Sequence, residues 1–173
     1  MTESALTNVE RIAQEIKASR ERLNEEAGKA FQEGVEQIFA TYPFLGGITW
    51  SQYTPYFNDG DPCVFRTLEV SIGTKRDVDL WLKNGRSPYP YDDEYYDEDG
   101  NDVKLDITYS TSSEYALDRG DSDAVPEHVA ALKDANALFH ALPDTFFEAT
   151  YGDHMIVLLQ PGQDPMTENY DHD

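Results

Sequence analysis

From Val9 to Ile38 the apolar residues Val9, Ile12, Ile16, Leu23, Ala27, Ala30, Phe31, Val35 and Ile38 return every three or four positions, the period of one amphipathic helix. A helix over residues 8–40 would be roughly 50 Å long, at about 1.5 Å per residue. That exceeds what a compact domain of this size needs, so the helix must lie across a sheet or form a coiled-coil or dimer seam. Thr7 followed by Glu10 reads as a capping box at its start, and Pro43 stops it. Gly28 and Gly34 weaken its second half.

Beyond Pro43 the period changes to two. Residues 48–53 (Ile-Thr-Trp-Ser-Gln-Tyr) and 64–72 (Val-Phe-Arg-Thr-Leu-Glu-Val-Ser-Ile) are rich in β-branched and aromatic residues, which predicts a hairpin of two strands. Cys63 stands at the start of the second, as a small buried hydrophobe. Residues 77–82 read equally as a short helix or a strand. Val103, Leu105 and Ile107 alternate with Lys104, Asp106 and Thr108, predicting a strand over 103–109. Pro126 at a first-turn position opens a second amphipathic helix that Pro143 ends. A helical turn through Phe146 and Phe147 closes at Gly152, and residues 154–159 are the most apolar run, hence a central strand. The tail from Pro165 returns as an edge strand.

This order predicts an α+β fold: an antiparallel or mixed sheet of about four or five strands, with helices on one face. The expected division is residues 1–42, the long helix, and 43–173, an α+β domain with an acidic, tyrosine-rich insert at 87–102.

Charge is regional. Of 34 Asp and Glu against 13 Lys and Arg in the chain, 14 acids and 4 bases fall in residues 77–125, and 9 acids and 1 base in 126–173. A field of that sign repels nucleic acid and anionic membranes and attracts basic protein surfaces. No direct nucleic-acid binding and no membrane association are therefore expected, and with one cysteine and no apolar leader the expected location is the cytoplasm.

No residue pattern names a reaction, and no catalytic residue or cofactor is assigned. His128, His140, His154 and His172 lack metal-pair spacing, and glycine-rich phosphate loops are absent. Asn58, Asp59 and Asp61 gather hard oxygens, making Asp59 and Asp61 weak metal candidates. Around Gly100 the calcium-loop pattern fails, with Tyr95 at the first ligand position and Asp106 at the last. What remains is surface: Asp92, Asp93, Glu94, Tyr95, Tyr96, Asp97, Glu98, Asp99 and Asp102 form a partner-binding candidate, because carboxylates interleaved with tyrosines combine charge with the side chains that anchor interfaces. Carboxylates on one strand or helix face fall roughly 5–7 Å apart, the order of phosphate spacing along a nucleic-acid strand. Tyr56, Phe57, Asn58, Asp59 and Asp61, in a loop framed by two prolines, form a second candidate, a recognition loop.

Three segments carry a family resemblance: Trp50-Ser-Gln-Tyr-Thr-Pro-Tyr-Phe-Asn-Asp-Gly-Asp-Pro-Cys63, Tyr151-Gly-Asp-His154 and Tyr170-Asp-His-Asp173. Together they resemble a family of small acidic proteins of bacteriophages and bacteria that has no assigned activity. In that family the segment after Gly-Asp-His continues into a second strand, whereas here residues 160–165 (Gln-Pro-Gly-Gln-Asp-Pro) interrupt it. The resemblance implies a phage context, host cytoplasm as the location, and a host-directed inhibitor. The expectation is a non-enzymatic protein that blocks a basic surface of a host or defence protein by nucleic-acid mimicry. The alternatives are a cation-dependent enzyme or sensor using the 58–61 loop, and an assembly protein that oligomerises through residues 8–40.

Overall fold

The computed structural model of the protein describes residues 2–57, 60–68, 70–84, 95–96, 99–107 and 125–170. The fold is α+β. Helix α1 spans Thr2–Thr41, followed by strand β1 at Leu45–Tyr53, β2 at Arg66–Thr67 and β3 at Ser71–Thr74. Helix α2 covers Lys75–Asn84, and a small hairpin pairs β4, Tyr95–Tyr96, with β5, Asp102–Val103. Helices α3, Pro126–His140, and α4, Asp144–Tyr151, lead into β6, Met155–Leu159, and β7, Met166–Asn169.

Every pairing in the main sheet is antiparallel, with β1 between β6 on one side and both β2 and β3 on the other, and with β7 at the far edge. Trp50 pairs with Val157 and Ile48 with both Leu159 and Ile72, so these side chains share one face. Against that face pack Phe31, Val35 and Ile38 of α1, Phe139 of α3, and Phe146 and Phe147 of α4. The aromatic rings meet edge-on, Trp50 on Phe139 at 4.7 Å and Phe31 on Phe147 at 5.5 Å, while Phe139 and Phe147 stack. Their burial supplies the main apolar contribution to the fold.

The opposite face is covered too, which corrects the expectation of helices on one face only. Val78, Leu80 and Trp81 of α2 join Tyr95 of β4 and Leu158 of β6 in a second apolar cluster. Gly73 makes this contact possible, because a Cβ there would lie 2.4 Å from the Trp81 ring. The ambiguous segment at 77–82 is helical because Thr74 and Asp77 cap it reciprocally: Thr74 N–H donates to Asp77 Oδ2 at 2.9 Å, and Asp77 N–H donates to Thr74 Oγ1 at 3.2 Å.

Other expectations shift in detail. The strand read over 64–72 is two short strands on one edge of β1, linked by a hydrogen bond from Leu68 N–H to Ser51 O. Pairing with β1 begins at Tyr53 opposite Arg66; Phe65 just before it still reaches the core, but Cys63 and Val64 lie beyond the end of the pairing. Cys63 is accordingly exposed rather than buried, and Val64 is exposed with it. Among the described residues, the strand read over 103–109 pairs only at Val103, with Asp102 before it, because the amides of Asp106 and Ile107 donate to the Asp77 carboxylate instead of a neighbouring strand. Residues 108 and 109 lie outside the described residues. Helix α1 starts before Thr7, which places the capping box read at Thr7 and Glu10 inside the helix.

Candidate functional site

The acidic insert enters the described structure at β4 and β5. Tyr95 does not point to solvent, as a binding role requires: it is 3% exposed, packed with Val78, Leu80, Trp81 and Leu158. The reason is register. Tyr95 pairs with Val103, and Val103 and Leu105 line the same cluster, so this side of the hairpin faces the sheet. Tyr96 is half-buried, while Asp99 and Asp102 are exposed about the turn at Gly100, whose φ of 81° lies in the region that favours glycine. Asp92, Asp93, Glu94, Asp97 and Glu98 lie outside the described residues. The structure thus divides the candidate: one tyrosine anchors, and the described acids face water.

The chain just beyond the insert is fastened by Asp77. Fully buried, its carboxylate accepts the Asp106 amide at 2.6 Å and the Ile107 amide at 3.2 Å. Beside it Arg76 donates to Asp106 Oδ1 at 2.7 Å and to the Lys104 carbonyl at 3.0 Å, and the Thr74 hydroxyl donates to Asp106 Oδ2. The acidic hairpin is therefore tied to the N-terminal end of α2 as well as to the sheet.

The second candidate, the loop after β1, displays its aromatics. Tyr56 and Phe57 are 68% and 76% exposed, and Asp61 is exposed beside Gly60, whose φ is 97°. Asn58 and Asp59 lie outside the described residues. The base of this loop is pinned. Thr54 N–H donates to Asp153 Oδ1 at 2.8 Å, the Tyr56 ring stacks on His154 at 4.8 Å, and Tyr53 meets Tyr170 at 5.4 Å. His154 itself has φ of 56°, a left-handed conformation for a residue with a side chain. Its Nδ1 lies 3.1 Å from Asp153 Oδ1. Partial burial pushes Asp153 up, but bonds from the Thr54 hydroxyl and N–H and the His154 N–H, together with the His154 charge, outweigh it and hold the carboxyl below its ordinary range.

Sequence reasoning set the histidines aside and so missed Asp153 and His154 as the loop's fastening. The signal was present in the quoted segments, whose described residues Tyr53, Tyr56, Asp153, His154 and Tyr170 meet at one end of the sheet. Trp50 binds them from below: its indole donates to Gln52 Oε1 at 2.9 Å, and the Gln52 amide donates to the carbonyls of Phe147 and Gly152. Tyr151 meets the Trp50 ring at 5.2 Å, and burial raises its phenol to about 12. His128 lies against Phe44, and His140 against the Asn136 carbonyl, both contacts within or beside α3.

Among the described residues no three His, Cys, Asp or Glu side chains gather as a metal site. No described helix is long and apolar enough to cross a membrane. No family model, curated protein or solved structure matches the chain.

Proposed function

We propose that this chain acts by binding rather than catalysis, presenting an acidic face that blocks a basic, nucleic-acid-binding surface of a host or defence protein. The observation that carries the reading is the burial of Tyr95, which ties the most acidic part of the sequence to the second core cluster. A merely solubilising segment has no use for such an anchor. Carboxylates held on a framework lose less conformational entropy on docking than those on a free tail, so they compete better with the ordered phosphates of a duplex. The exposed ring pair Tyr56 and Phe57 supplies apolar contact at a separate place.

The test captures proteins from a bacterial lysate on the immobilised chain. A parallel capture uses a variant with Asp92, Asp93, Glu94, Asp97, Glu98, Asp99 and Asp102 changed to their amides. The expected result is a basic protein retained at about 50 mM salt, lost at about 500 mM, displaced by added duplex DNA, and absent from the amide variant. Equal retention by the amide variant would overturn the reading.

A further inference from the structure

Helix α1 is 40 residues long, yet from Thr7 onward its first buried side chain is Phe31. From Thr7 to Glu26 every residue is exposed, including Val9 at 62%, Ile12 at 42%, Ile16 at 49% and Leu23 at 57%. At about 1.5 Å per residue, a stretch of roughly 30 Å stands clear of the sheet with an apolar stripe on it. Val9, Ile16, Leu23 and Ala30 are spaced by seven, with Ile12, Ser19 and Glu26 three positions after the first three of them, the a and d pattern of a two-stranded coiled coil that turns charged toward the folded end.

We infer that this stripe is covered by the same stripe of a second copy, running antiparallel. Charge complementarity fixes both partner and register. Flanking the stripe, in the positions just before Ile16 and Leu23, are Glu15 and Arg22. With Ile16 set against Ser19 of the second copy and Leu23 against its Ile12, Glu15 of each chain falls beside Arg22 of the other, twice by symmetry. A slip of one heptad either way sets Glu15 against Glu15 or Arg22 against Arg22, so the alternatives are repulsive.

Geometry agrees with the antiparallel arrangement. The stripe continues through Ala27, Phe31, Val35 and Ile38 into the chain's own core, so parallel helices would drive two folded ends into each other. In the antiparallel register Phe31 of one copy lies opposite Ser4 of the other. The two acidic bodies end up at opposite ends of the seam, much farther apart than the roughly 8–10 Å over which salt leaves charges in contact. This dimer stands apart from the acidic-face reading, but it would present two such faces in one particle.

The test is the mass of the full chain in solution, by light scattering and sedimentation. The expected mass is twice 19.6 kDa, falling to one chain in the double variant Ile16→Asp, Leu23→Asp, whose changed positions are exposed in the monomer and leave its circular dichroism intact. Glu15→Arg or Arg22→Glu alone should weaken association on the order of tenfold, and the two together should restore it. A wild-type chain that stays monomeric at about 100 μM, well above the micromolar range of modest seams, would overturn the dimer. A double charge reversal no tighter than either single one would overturn the antiparallel register, because a parallel seam pairs Glu15 with Arg20 instead.

Discussion

Asp77 shows how much one buried carboxylate can organise. It is fully buried and accepts the amides of Thr74, Asp106 and Ile107, so it caps α2 and also fixes the chain some thirty residues further on. Removing it strands three donors, each left without a partner at a cost of about 1–3 kcal/mol. Asp77→Ala is therefore expected to lower stability by about 3 kcal/mol or more in urea unfolding, whereas the exposed Asp79→Ala should change it by less than about 0.5 kcal/mol. Half of this arrangement was legible beforehand. Thr74 and Asp77 stand at capping-box spacing in the chain, but nothing local to Asp106 says that its amide will seek a carboxylate in place of a strand. His154 repeats the lesson: its left-handed backbone and its stack on Tyr56 depend on residues about a hundred positions away.

At the scale of elements, the periodic segments declared themselves and the short ones did not. Helices α3 and α4 run between the prolines and glycine that punctuate them, and β6 lies inside the sheet as its apolar composition requires. The β4–β5 hairpin has two residues in each strand, too few for any alternation to register, and its tyrosines read as surface because seven carboxylates surround them. What holds it is tertiary: the Tyr95 ring inserted beside Trp81, with Val103 and Leu105 packed on the same cluster. Tyr95→Ala should therefore cost about 3 kcal/mol, the range for emptying a large aromatic site. Amide hydrogen exchange should locate the effect, with residues 95–96 and 102–107 losing protection while β1 and β6 keep theirs. Uniform loss of protection across the sheet would mean that the hairpin and the main core unfold as one unit, contrary to the division into two clusters. An unaltered exchange pattern would mean that Tyr95 is not the anchor.

The whole molecule is governed by the imbalance of charge. A formal −21 on 173 residues means that most carboxylates have no cation to answer them, since only 13 Lys and Arg exist. Among the described residues those bases are also poorly placed for the task. The ion pairs along α1 join residues four apart in the same exposed helix, which contribute little, while Arg76 with Asp106 joins α2 to the chain after β5. The α+β class was legible through all of this because apolar periodicity, not charge, selects layers; the covering of both sheet faces was not, because it hinges on whether residues 75–84 coil. Compactness brings like charges together that the unfolded chain can spread apart, so folding here proceeds against self-repulsion. Salt relieves that repulsion more in the compact state than in the expanded one. As the Debye length shrinks from about 30 Å near 0.01 M to about 4–5 Å near 0.5 M, the melting temperature should climb by several degrees, most steeply at the low end. The rise should be the same in sodium chloride and potassium chloride, because screening depends on ionic strength, whereas a site that binds one cation would distinguish them. A melting temperature that falls with added salt would mean that attractive pairs outweigh the surplus of carboxylates in holding this fold together.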